Sequence, residues 1–393
     1  MDKKKILLLY ISENSGHYMA AVSIEKALKQ LEPNVEVLGI NVVNYTNPIG
    51  EKVVNKTYMS IIKTRPEVWD YLYDNPKILK SVLRLRQVLH NINLNKLKQL
   101  IDSFSPDVVL CTQAFPCGMI ADFKKRYDLN LPLIGVLTDH IAHAYWICDN
   151  VDYYVVPSLT TGKRLIDEGI EESKIKPFGI PISPEFIKIL DRDEICAKYG
   201  LRNDKPVILL MGGGQGLGPI KKAVALLDKS PSNYQLIVVS GTNKRLFSWL
   251  VKKSRTSKKK IVALQYASNI HELMEISSLI ITKPGGLTTS EAMAKNLPMI
   301  ILKPIPGQEQ KNTEYLTRIG VAVKAPDEEG AVLLTEELIN NSVKLSHMKN
   351  ETMRFSKPNA AFDTARLALE MCQENEVLST LQNSPVPGAV HPG

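Results

Sequence analysis

"VILLMGGGQGLGPIKKAVALLDKS", residues 207–230, places a run of apolar residues before a loop with five glycines between 212 and 218, and an amphipathic helical pattern after it. An uninterrupted apolar run closed by glycine reads as a strand buried on both faces. A strand that feeds a helix through such a turn is the repeating unit of a parallel α/β sheet. The glycines can bring backbone N–H groups close to a diphosphate at the helix N-terminus. Neither common nucleotide fingerprint is matched. GxxxxGK needs Lys where Pro219 stands, and GxGxxG read from Gly214 needs Gly there. A plain tight turn is the alternative reading.

The same alternation extends in both directions. "KILLLYIS", "VEVLGINVV", "PDVVLCT", "LPLIGVLTD" and "DYYVVPS" are strand-like runs on the N-terminal side, and "YQLIVVSG", "KIVALQYA", "LIITKPG" and "MIILKP" follow on the C-terminal side. Between the two sets, "PFGIPISPEF" (177–186) carries three prolines and a glycine and reads as a linker. The expected architecture is two facing Rossmann-like doubly wound domains, 1–180 and 181–357. A helix over 358–376 is expected to pack back on the first domain, and 377–393 to be an unstructured tail. Ligands of such sheets gather at the carboxyl ends of the strands, so two facing sheets make one cleft.

Composition allows this and narrows the partners. The chain has 393 residues, 44% apolar and 23% charged, with a formal charge of +8 that favours anionic partners. Five cysteines without CxxC spacing read as buried or free thiols of a reducing compartment. "ILLLYI" is too short for a signal-peptide core, and no apolar run has the roughly 18 residues of a membrane span, so membrane contact is expected to be peripheral. "KKSRTSKKK" (252–260) lacks interleaved aromatics and reads as a solvated loop, and no nucleic-acid partner is expected.

Two polar turns carry the candidate chemistry. In "TKPGGLTTSEAMAKNLPMIILKPIPGQEQKN" (282–312), Gly285 and Gly286 open a helix with Thr288 in its first turn and Glu291 one step in. A carboxylate there can accept from both hydroxyls of a ribose; an acid favoured by the helix dipole is the plainer reading. In "SENSGHYMAA" (12–21), His17 stands where a strand turns into a helix, as a candidate base or as a helix-capping side chain.

Together, "MGGGQGLGP", "GIPISPEF", "PGGLTTSEAMAKNLPMIIL…PIPGQEQKN" and "SGHYMAA" resemble the monogalactosyldiacylglycerol synthase and processive diacylglycerol glucosyltransferase family over about residues 4–375. That family is in turn similar to the bacterial lipid-linked N-acetylglucosaminyltransferase of peptidoglycan synthesis. The resemblance implies the GT-B fold, a UDP-sugar donor held mainly by the C-terminal domain, inversion at the anomeric carbon, and no cofactor. Carried over residue by residue, it implies Gly213, Gly214 and Gly216 for the diphosphate, Glu291 for the ribose, Gln308 and Glu309 for the sugar, and Tyr266 and Ile270 near the uracil. His17 becomes the base. In "LTDHIAHAYW" (137–146), Asp139 becomes its assistant, and His143 and Trp146 acceptor contacts, with His140 competing for the role of His143. "DRD" (191–193) matches a metal–diphosphate signature but falls at an expected helix start, so no metal is expected.

From Pro76 to Ile101 there is no acidic residue, while Lys77, Lys80, Arg84 and Arg86 lie among Ile and Leu. Such a segment suits an anionic membrane surface, the alternative being a core-facing helix with a solvated basic side. The expected activity is hexose transfer, glucose or galactose, to 1,2-diacylglycerol on the cytoplasmic side of the cell membrane. Another lipid-linked acceptor, or a nucleotide-sugar sensor, is the rival.

Overall fold

Alternate residues of single strands feed two different cores, which is why the strand sequences are apolar without interruption. In the computed structural model, which describes residues 3–13, 15–46 and 95–383, Ile6 and Leu8 of the first strand face one hydrophobic cluster, and Leu7 and Leu9 face another. The first sheet contains β1 (Lys5–Tyr10), β2 (Glu36–Asn41), β3 (Val108–Cys111), β4 (Leu133–Val136), β5 (Tyr153–Val155) and β6 (Ile175–Lys176), in the order β2-β1-β3-β4-β5-β6. The second contains β7 (Val207–Met211), β8 (Gln235–Val239), β9 (Ile261–Leu264), β10 (Leu279–Thr282), β11 (Met299–Leu302) and β12 (Ala322–Ala325), in the order β12-β11-β10-β7-β8-β9. Every pairing is parallel.

Each order reverses once. The chain leaves β1 for β2 on one side and returns to β3 on the other; it leaves β7 for β8 and β9, and returns to β10. Strand ends diverge at these switch points and open a crevice. "SENSGHYMAA" follows β1, and the glycine loop follows β7, so both polar turns stand at such crevices.

The helix Ala360–Asn383 sets Ala361, Ala365, Ala368 and Cys372 against Ile24, Ala27 and Leu28 of the helix Gly16–Leu31, within the first sheet's core. Small side chains at this spacing let two helices approach closely. The helix runs past the expected end at 376, because 376–383 contains neither Gly nor Pro. The next proline in the sequence is Pro385.

The basic segment's Lys77, Lys80, Arg84 and Arg86 lie outside the described residues. At its end, Lys96 and Lys98 are exposed on a helix over 95–104 that buries Leu97 and Leu100, and Lys98 pairs with Asp102 at 2.5 Å. Among the described residues no helix is long and apolar enough to cross a membrane. The 252–260 stretch is not wholly a loop: its start belongs to the helix Lys244–Thr256, and Lys253 pairs with the buried Asp228 at 2.5 Å. All five cysteines are buried.

Candidate functional site

Ser15 caps the helix Gly16–Leu31, its hydroxyl accepting from the Tyr18 amide at 3.3 Å. The cap position is therefore filled, and His17 is released from that duty. Its Nδ1 lies 3.1 Å from the Thr112 carbonyl, at the end of β3, and 2.5 Å from Thr138 Oγ1, beyond β4. A carbonyl oxygen can only accept, so Nδ1 carries the hydrogen and Nε2 holds the lone pair. Burial lowers the His17 pKa below its ordinary 6.5, opposed by the nearby Asp139 charge and by the Thr112 bond. The ring is thus a neutral base at neutral pH. Asp139 is buried, which raises its carboxyl's pKa against the charge of His17 and the amides of Gln308 and Asn312.

Those two amides belong to the second domain, and the seam between domains is close here. A Cβ on Gly286 would stand 2.0 Å from the Thr138 carbonyl oxygen, so only glycine permits this approach. Gly286, which opens a helix as expected, thus also makes the contact between the domains. Asn312, itself buried, accepts from the His140 amide at 3.1 Å and donates to the Pro284 carbonyl at 3.0 Å and toward Asp139 Oδ1 at 3.4 Å. His140 Nε2 lies 2.8 Å from Thr289 Oγ1, its carbonyl accepts from Thr161 at 2.6 Å, and its ring stacks on Tyr315 at 5.2 Å. Burial pushes its pKa down to about 4, so it is a neutral seam residue.

His143 is half-buried, 5.5 Å from the Tyr145 ring and 6.1 Å from that of Trp146. Trp146 corrects its expected role. It is 2% exposed, inside the first domain's core with Cys148, Val151 and Tyr154, and presents no face to a membrane. The amphipathic character of Trp suits an interface, but core packing claimed it here.

At the second switch point the glycine loop is held shut on itself. Gly216 N–H donates to Gly213 at 3.0 Å and Leu217 N–H to Gly212 at 3.0 Å, while Thr242 N–H holds the Gly214 carbonyl at 2.9 Å. Gly213 and Gly216 have φ of 70° and 60°, and a Cβ on Gly216 would stand 2.0 Å from the Ser240 carbonyl oxygen. The amides of Gly213, Gly214 and Gln215 donate to no acceptor among the described residues, and Gly213 and Gly214 face open space. Between this loop and the end of β10 runs a shallow groove lined by Gly212, Leu217, Gly218, Pro219, Thr282 and Lys283 among others.

The carboxyl of Glu291 makes no hydrogen bond or ion pair among the described residues, and burial raises its pKa to about 8. Gly285 caps that helix facing open space, Thr288 is half-buried in its first turn, and Tyr266 is 60% exposed beside Ile270, which opens the helix Ile270–Glu275. Glu309 is held by Lys283 at 2.6 Å and by the Ile305 amide at 2.9 Å, whereas Gln308 turns to Asp139. "DRD" proves a helix start: Asp191 caps Arg192–Lys198, accepting from Asp193 and Glu194 amides. Sequence reasoning passed over Thr112, Thr138, Lys283 and Asn312. Only Lys283 carried a usable signal, a lone cation at a strand's carboxyl end.

Residues 17–182 match the family model of monogalactosyldiacylglycerol (MGDG) synthase, and residues 207–370 that of the glycosyltransferase family 28 C-terminal domain. A processive diacylglycerol beta-glucosyltransferase of Bacillus thuringiensis (strain Al Hakam) is 31% identical over 375 residues, 95% of this chain and 94% of that protein. One of Bacillus anthracis (strain A0248) is 31% identical over 91% of each chain. Among solved structures, the S. aureus MnaA–UDP co-structure matches with a TM-score of 0.60 at 16% identity, covering 98% of this chain and 100% of that one. Acinetobacter baumannii MurG matches with 0.59 at 13%, covering 93% and 99%. Both share the two-domain fold.

Proposed function

The chain belongs to the monogalactosyldiacylglycerol synthase and processive diacylglycerol glucosyltransferase family, and from that premise we propose that it transfers a hexose from a UDP-sugar to 1,2-diacylglycerol with inversion, at the cytoplasmic membrane face. Glucose is the donor sugar favoured by the names of its relatives. His17 Nε2 takes the proton of the acceptor hydroxyl as that oxygen attacks the anomeric carbon. The bond from that carbon to the diphosphate breaks on the opposite face, its electron pair leaving with UDP. Asp139, steadied by Gln308 and Asn312, favours the imidazolium as it forms. The open amides of Gly213 and Gly214 receive the diphosphate, Glu291 the ribose hydroxyls, and the exposed Tyr266 the base.

The observation that carries this reading is the Thr112 carbonyl on His17 Nδ1, which leaves the basic nitrogen free at a switch-point crevice. The test is incubation of purified protein with diacylglycerol vesicles and labelled UDP-glucose or UDP-galactose, with the lipids resolved and their anomeric configuration read by NMR. A β-linked glycosyl-diacylglycerol is expected. Tight UDP binding without any lipid product would instead favour a nucleotide-sugar sensor.

A further inference from the structure

A sugar transfer of this kind releases a diphosphate, and the atoms around the departing oxygen must accept its charge. The glycine loop supplies dipoles only, since residues 212–219 contain no cation. Across the groove, at the carboxyl end of β10, Lys283 lines the same wall as Gly212, Gly218 and Pro219, with its side chain 15% exposed. Beside it, Thr282 is 3% exposed and its hydroxyl oxygen, buried in the groove wall, has no hydrogen-bond partner among the described residues.

We infer that Lys283, seconded by the Thr282 hydroxyl, binds the donor's diphosphate, and that it does so by exchanging Glu309 for phosphate. This rests on the UDP-sugar reading given above. Without donor, Glu309 holds Lys283 at 2.6 Å while the Ile305 amide fixes its other oxygen at 2.9 Å. A diphosphate brings two or more negative charges into the groove, and the ammonium is drawn to the larger charge. Glu309, released on one oxygen and still anchored by Ile305 on the other, becomes an acceptor for hydroxyls of the sugar. Occupation of the phosphate subsite and readiness of the sugar subsite are thereby linked through one ion pair.

The exchange gives the two partners opposite signs. Calorimetry with UDP and with uridine, on the intact chain and on Lys283→Met, Lys283→Arg and Glu309→Gln, reads them. Lys283→Met should weaken UDP by about 10- to 100-fold, the range of one charge-assisted contact, and leave uridine unchanged. Lys283→Arg should recover most of the loss. Glu309→Gln, which removes the competing carboxylate, should tighten UDP severalfold while turnover falls. Uridine affinity reports folding in each variant; if Lys283→Met does not fold, the sign of the Glu309→Gln effect decides. Equal UDP-to-uridine preference in the wild type and Lys283→Met, or no gain in UDP affinity in Glu309→Gln, overturns the assignment. A wild type that binds neither nucleotide overturns the donor reading, and this inference with it.

Discussion

Replacing Glu291 by Gln should stabilise the folded chain and at the same time weaken it as a UDP binder. Burial raises this carboxyl from 4.5 to about 8, so the native state holds a proton that the unfolded state releases. The sign follows from proton binding: between the two values the native state binds more protons, so stability falls as pH rises from about 4.5 toward 8 and is flat above. At 1.36 kcal/mol per pH unit the full span is roughly 5 kcal/mol. Glu291 keeps some contact with solvent, which screens this to about 2 to 4 kcal/mol. Gln keeps the shape and does not ionise, so the variant should be more stable than the wild type by that amount at pH 8, and nearly equal to it at pH 4.5. Urea unfolding of both proteins across pH 4.5 to 8.5 measures the difference. UDP binding at pH 8 should fall by about 10- to 100-fold, because the ribose hydroxyls lose an ionised acceptor. Stability curves that run parallel across the whole range would refute the buried-proton argument, and unchanged UDP affinity would remove Glu291 from the ribose.

His17→Ala should reduce turnover by roughly 10²- to 10⁴-fold at unchanged UDP affinity, with little change in melting temperature since Ser15 keeps the cap; Ser15→Ala should do the reverse, costing about 1 kcal/mol and sparing the chemistry. In Glu291→Gln, which no longer titrates near 8, kcat should fall as pH drops through a value below 6.5, because burial lowers His17, and a limb at 7 or above in that variant contradicts the His17 assignment. Gly286→Ala should lower turnover by tenfold or more, through a seam forced open at Thr138, whereas Gly285→Ala, facing open space, should act nearly as wild type; equal effects would deny the seam its role. Turnover should survive EDTA, and a loss restored by Mg²⁺ or Mn²⁺ would return a metal to the reaction. Serine at Lys77, Lys80, Arg84 and Arg86 together should weaken sedimentation with anionic vesicles near 0.15 M salt while UDP binding persists; undiminished sedimentation places membrane contact elsewhere.

Both sheets could be read from local sequence because their inner strands are buried on two faces, so "VILLM" and "ILLLYI" needed no alternation to be recognised. The glycine loop and the two polar turns followed from short-range rules of the same kind. What escaped was set by contacts distant in sequence. Gly286 looks like half of a glycine turn until Thr138, from the other domain, arrives against it. His140 and His143 are equivalent as letters, and only Thr289 and Tyr315 make the first a seam residue. Trp146 went to the core because Tyr154 and Val151 meet it there. Asn312 sat unnoticed in a polar run whose other members looked more reactive.

The alanine face of Ala360–Asn383 also fixes an order of events during synthesis. Ile24, Ala27 and Leu28 are among the early residues to leave the ribosome, yet the side chains that cover them, Ala361, Ala365 and Ala368, are among the last. At about 5 to 20 residues per second, the interval is roughly 20 to 70 s. The second domain's last strand ends at 325 and its last helix at 355, just ahead of the covering helix, so the first domain waits with an open flank for nearly the whole of synthesis. Messages truncated shortly before codon 360 would yield a product with a sound second domain and an uncovered apolar helix, a substrate for chaperones or for aggregation.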